Sequence, residues 1–155
     1  MTTILRFLVL VCLICALRIP AGAEETLADA QRLNAQVAQL YQQGKYAEAI
    51  PLAERVLAIR QENLPANHPD LASALSNLAA LFSVMGSYDK AEPLSRQALA
   101  IRRQALGENH PEYASSLNNL AVLYRMMGAY AKAEPLIQQA VGIYRQALGA
   151  NHPLY

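Results

Sequence analysis

The block from His68 to Asn109 is followed at once by a near copy of itself, His110 to Asn151, and this 42-residue period restricts the fold to a stack of like units. About 26 of the 42 positions are identical between HPDLASALSNLAALFSVMGSYDKAEPLSRQALAIRRQALGEN and HPEYASSLNNLAVLYRMMGAYAKAEPLIQQAVGIYRQALGAN. A period of that length accommodates one pair of helices. One step back lies a diverged first copy, residues 26–67, in which GKYAEAIPLAERVLAIRQ stands against GSYDKAEPLSRQALAIRR. One step forward, His152-Pro153-Leu154-Tyr155 opens an interrupted fourth copy.

Inside the third copy, apolar and small residues fall at Ala114, Leu117, Leu120, Ala121 and Tyr124, and again at Tyr130, Ala133, Ile137, Ala140, Val141, Tyr144 and Leu148. Gaps of three and four predict two amphipathic helices, each burying the face that carries these residues. Met127-Gly128-Ala129 separates them, with Gly86 and Gly44 in the equivalent places, and glycine supplies the left-handed backbone that closes a helix. So short a turn predicts an antiparallel hairpin. Asn67-His68-Pro69 and Asn109-His110-Pro111 put a polar cap and a proline at the start of each first helix. Pro51, Pro93 and Pro135 fall a few residues into the second helices, where they are expected among the unpaired first-turn amides. Gly107 and Gly149 then end those helices. The first copy is the atypical one, with Gln36 where the others have Leu78 and Leu120, a core expected through Leu33, Val37, Leu40 and Tyr41, and Thr26 in place of the histidine.

Residues 1–23 have the pattern of an export signal: Arg6, an unbroken apolar run from Phe7 to Leu17, and Ala21-Gly22-Ala23 before Glu24. Cleavage after Ala23 and a periplasmic or extracellular location are expected. The apolar run is about half the ~20 residues that span a bilayer, so no membrane contact is expected after cleavage. Neither Cys12, after Val11, nor Cys15, after Ile14, has the small-residue context of a lipid attachment site. Cleavage removes both cysteines, leaving no disulfide and no thiolate metal site. It also removes Arg6 and Arg18 but no acidic residue, moving the formal charge from +1 to about −1. That neutrality argues against nucleic acid as a partner. The interspersed lysines, arginines and glutamates read as solvated helix faces.

No constellation for catalysis emerges. His68, His110 and His152 recur at the repeat period, and successive packed helices lie ~8–10 Å apart, too far for one zinc that holds its ligands at ~2 Å. Linker capping accounts for them. Glu92 and Glu134 recur in the same way without forming an acid/base pair. Glycine-rich phosphate loops and the HExxH and GxSxG patterns are absent, and Ser73, Ser76, Ser115 and Ser116 have no nucleophile motif around them. Neither an enzyme nor a cofactor is expected.

Leu117-x-x-Leu120-Ala121-x-x-Tyr124-x-x-x-Gly128-x-Tyr130-x-x-Ala133, with Ala140 beyond, resembles the tetratricopeptide repeat. Leu75, Leu78, Ala79, Phe82, Gly86, Tyr88, Ala91 and Ala98 repeat the match. The period, longer than the ~34 residues of the ordinary repeat, and the LxNLAxLY, YxKAEPL and NHP elements resemble the kinesin light chain type. The resemblance implies an all-α, right-handed α-solenoid of antiparallel helix pairs over residues 24–155, with repeats at 26–67, 68–109 and 110–151. It also implies a concave groove, lined by first-helix residues, that holds an extended peptide or a helix.

By position, that groove takes Gln31, Asn34, Tyr41 and Gln42 from the first copy, Ser73, Ser76, Asn77 and Ser83 from the second, and Ser115, Asn118, Asn119 and Arg125 from the third. Asn77 and Asn119 match the family position whose amide grips peptide backbone, since an amide both donates and accepts. A guanidinium at Arg125 suits an acidic group. The lysine pair of the carboxylate-clamp subclass is missing, which favours an internal segment over a free C-terminus. Two alternatives stand beside this reading. In one, the repeats precede a catalytic domain, such as a caspase-like peptidase, in a larger protein. In the other, the module self-associates through an uncapped C-terminal helix whose Leu136, Val141 and Ile143 are expected to be partly uncovered.

Overall fold

A computed structural model of the chain describes residues 25–148. The export signal with its cleavage site, Gly149, the fourth-copy residues His152–Tyr155 and the side chain of Leu148 lie outside the described residues. Six α-helices make up the described part: α1 (Leu27–Gln42), α2 (Tyr46–Asn63), α3 (Pro69–Val84), α4 (Tyr88–Leu106), α5 (Pro111–Met126) and α6 (Tyr130–Leu148). Helices α1 and α2, α3 and α4, and α5 and α6 pack as hairpins. Between hairpins, α2 meets α3, α4 meets α5, and α3 also touches α5. The first helices therefore form one layer of an all-α repeat solenoid and the second helices the other.

The three hairpin turns have the same geometry. Gly44, Gly86 and Gly128 sit at φ +73°, +75° and +73°. The residue after each glycine donates to a carbonyl five residues back: Lys45 to Leu40, Ser87 to Phe82 and Ala129 to Tyr124, at 2.9, 2.9 and 2.8 Å. The glycine amides bond to Tyr41, Ser83 and Arg125, which completes a Schellman closure. A Cβ on Gly86 would meet nothing within 4 Å, so its substitution tests backbone conformation alone. Gly86→Ala is expected to destabilise by about 1–2 kcal/mol. Gly142 lies inside α6 with equally open surroundings and no positive φ, and Gly142→Ala is expected to stabilise by about 0.5–1 kcal/mol. Urea midpoints should therefore move in opposite directions; a shift of the same sign for both would contradict these backbone assignments.

The histidines act as N-caps. Nδ1 of His68 accepts from the amide of Asp70, and Nδ1 of His110 from that of Glu112, each at 3.1 Å, with proline following in the first turn. Thr26 replaces this device with a capping box, in which it accepts from the Asp29 amide while Asp29 accepts from the Thr26 amide. The second-helix prolines lie deeper than the sequence suggests. With Ser87 as N-cap, Ala91 already bonds back to the Ser87 carbonyl, so Pro93 lies beyond the free amides. The carbonyls four residues earlier, those of Ala47, Asp89 and Ala131, lose a partner. All three residues are exposed, so water reaches these carbonyls.

Leu75, Leu81, Leu117 and Leu123 are almost wholly buried, and the small residues Ala30, Ala49, Ala72, Ala91, Ala114 and Ala121 let the helices approach closely. Three sequence expectations change here. Tyr130 is 68% exposed although it falls on the apolar period, whereas its equivalents Tyr46 and Tyr88 pack against the core. Ile143 is buried with Tyr113, Ala114, Leu117 and Ala140, so it is not part of an open outer face. Of the residues expected there, Val141 is exposed and Leu136 half-buried. Tyr41 is largely exposed and stands edge-on to Tyr46 at 5.2 Å, where Val37 and Ala30 supply the fully buried contacts of α1.

Candidate functional site

Two adjoining hollows follow the layer of first helices. The first, about 280 Å³, is bounded by Asn34, Val37, Tyr41 and Gln42 of α1 and by Asn77 and Ala80 of α3. The second, about 230 Å³, shares Tyr41, Asn77 and Ala80 and continues to Ser83 and Val84 of α3 and to Asn119, Val122 and Met126 of α5. A third depression, formed by Val122, Arg125, Met126 and Tyr130, extends the line towards α6. Shared walls make these one groove across all three repeats. None of the residues lining it is acidic.

Its chemistry is amide and apolar. Asn77 Nδ2 donates to Asn34 Oδ1 across the first two repeats at 3.2 Å, which leaves the Asn77 carbonyl and the Asn34 amino group available. Asn119 is exposed and lines the second hollow. Val84, Val122 and Met126 contribute exposed apolar surface at the C-terminal ends of α3 and α5. Arg125 is exposed and has no ion pair among the described residues.

The serines divide. Ser83 lines the groove, but its hydroxyl donates to the Ala79 carbonyl at 2.7 Å. Ser76 touches both the groove and a polar cluster beneath it, whereas Ser73 belongs to that cluster. The half-buried Ser115 and the exposed Asn118 lie on α5, and Gln31 is exposed on α1.

At the centre of the cluster is Arg102 of α4, a residue that sequence reasoning assigned to solvent. It is buried, and its guanidinium donates to Ser116 at 2.7 Å, Ser73 at 3.1 Å and Ser76 at 3.3 Å. Ser73 and Ser116 direct their own protons to the carbonyls of Pro69 and Glu112, so their lone pairs face the cation. Nε has no hydrogen bond and faces Glu112 Oε2 at 3.5 Å. This cluster joins α3, α4 and α5 beneath the groove. The signal that could have found it was the register: Arg60 and Arg102 are equivalent, Tyr144 breaks the series, and Ser116 stands where the second copy has Ala74. Arg60 makes a simpler contact, donating to the Asp70 carbonyl at 2.8 Å.

A second polar cluster ties α4 to α5 at the other end of α4. Tyr124 donates to Glu92 at 2.8 Å, and Arg96 donates to both Tyr124 and Glu92. The Tyr124 hydroxyl and then Arg96 hold the Glu92 carboxyl below its ordinary pKa, while burial pushes the Tyr124 phenol up. Lys132 lies over the Tyr124 ring and Lys90 over Phe82, each at 5.3 Å, so the repeated lysine has the same cation–π role twice.

Comparison with known proteins agrees with this architecture. A family model described as the tetratricopeptide repeat matches residues 26–104 and 70–146. Among solved structures, a Podosopora anserina protein, described as a kinesin light chain with nearly identical TPR-like repeats, is 28% identical with a TM-score of 0.76 over 84% of this chain. BtubC (BKLC) from P. vanneervenii is 26% identical with a TM-score of 0.66 over 79% of this chain. The alignments span 62% of the first structure and 48% of the second. A search of curated proteins returned no match.

Proposed function

The chain belongs to the tetratricopeptide repeat family, and we propose that this interaction module holds an extended segment of a partner protein in the groove across α1, α3 and α5. The observation that carries the proposal is the continuity of the groove through Tyr41, Asn77 and Ala80, with amides spaced along it and no carboxylate in its lining. Neighbouring helices lie ~8–10 Å apart and an extended chain advances ~3.3 Å per residue. Asn77 and Asn119 therefore meet backbone groups about three residues apart, each amide offering one donor and one acceptor.

Apolar side chains of the partner rest against Tyr41, Val84, Val122 and Met126, and an acidic side chain pairs with Arg125. Asn34, Ser76 and Ser83 line this path, Ser73 lies beneath it on Arg102, and Ser115 and Asn118 belong to the proposal by their place in the repeat alone. The lining of amides, hydroxyls and apolar groups supports binding in place of catalysis. Export after cleavage behind Ala23 belongs to the same proposal, supported by Arg6, the apolar run and Ala21-Gly22-Ala23. An N-terminus at Glu24 in exported material checks it, and retention of Met1 would contradict it. The groove itself is tested by selecting a peptide from a displayed random library and measuring its affinity for the protein and for a variant with Asn77 and Asn119 replaced by alanine.

A further inference from the structure

We infer that Met126 is a site of reversible oxidation that switches the apolar end of the groove, an inference that rests on the groove reading above. The described residues contain no cysteine, so the thioethers of Met85, Met126 and Met127 are their only oxidisable sulfur. None of the three belongs to the core, which is built from leucine, isoleucine, valine, alanine and aromatic residues. They are 48%, 43% and 38% exposed and gather at the C-terminal ends of α3 and α5. A flexible, polarisable thioether in an exposed groove wall is suited to contact with an apolar ligand and is open to oxidants.

Met126 is set apart by position. Together with Val122 it lines both the second hollow and the depression beside Arg125 and Tyr130, so it joins the amide-lined part of the groove to its cationic end. The oxidant is a hydroperoxide. The sulfur lone pair attacks the terminal peroxide oxygen, the S–O bond forms as the O–O bond breaks, and the departing oxygen takes up the proton to leave as water or an alcohol. Sulfur loses two electrons and the peroxide gains them. The product sulfoxide carries a strong dipole where the ligand requires apolar surface; a dithiol restores the thioether, its two thiols giving up two electrons and two protons to become a disulfide while the sulfoxide oxygen leaves as water.

The probe is anilinonaphthalene sulfonate, whose fused rings need apolar surface and whose anion suits Arg125. Fluorescence titration of the untreated protein is expected to show binding, and hydrogen peroxide treatment that adds one oxygen at Met126, located by mass spectrometry, is expected to weaken it roughly tenfold. Helical circular dichroism should not change. Met85→Leu/Met127→Leu should keep the full response to peroxide, whereas Met126→Leu, compared only with itself before and after treatment, should change by less than about twofold. Three results overturn the switch: resistance of Met126 to peroxide, undiminished binding by protein oxidised at Met126, or an equally steep loss in Met126→Leu. Absence of dye binding by the untreated protein instead removes the apolar groove, and the switch with it.

Discussion

Arg102→Ala is expected to lower stability by about 2–4 kcal/mol, read as a fall in the urea midpoint at unchanged slope. The guanidinium is buried and bonds to three serine hydroxyls from α3 and α5. Each hydrogen bond to a charged group contributes about 1.5–3 kcal/mol, but three bonds to one cation are not additive. Much of the loss comes from the hydroxyls left behind. Ser73 and Ser116 already donate to carbonyls within their own helices, so without Arg102 the lone pairs of the buried Ser116 and the half-buried Ser73 lose their donor. The ion pair to Glu112 adds little, because that side chain is 53% exposed. Arg103, next in sequence, pairs with Glu108 on the surface. Arg103→Ala is expected to move the midpoint by no more than ~0.5 kcal/mol equivalent. Equal effects at the two positions would show that the cluster does not hold the second and third repeats together.

Arg102 also marks the limit of what periodicity reveals. Repetition at 42 residues carries the six helices, their glycine closures and the histidine caps, because each depends on interactions within a few residues of sequence. It fails where burial depends on what lies alongside. Tyr130 and Tyr88 occupy equivalent positions, yet Tyr130 is exposed, and Arg102 is buried where Arg103 is not. Helical period identifies a face, whereas the three serines that make a buried arginine tolerable come from two other helices. The prolines teach a similar lesson: their depth in the helix depends on the N-cap, and Ser87 stands far enough ahead of Pro93 to leave it beyond the free amides.

The groove was legible in outline for the same reason. Asn77, Asn119, Tyr41 and Ser83 line it because first-helix positions follow from the repeat register. The apolar wall of Val84, Val122 and Met126 went unnoticed, since residues at a helix end carry no periodic signal of their own. The bond from Asn77 to Asn34 was equally hidden, because Asn34 aligns with Ser76 and not with Asn77. That bond ties α1 of the first repeat to α3 of the second.

Asn77→Ala/Asn119→Ala therefore carries the second large effect. Each amide can exchange two hydrogen bonds with a peptide backbone, and a net contribution of about 1 kcal/mol per bond makes a loss of about 2–3 kcal/mol for the pair conservative. That corresponds to a roughly 30- to 150-fold weaker complex. Both side chains are exposed, so helical content should be unaffected. The decisive measurement is the dissociation constant of a display-selected peptide for the native protein and for this double variant, each monitored by circular dichroism. The groove reading predicts that loss of affinity at unchanged helicity; equal affinity for the two proteins would contradict it.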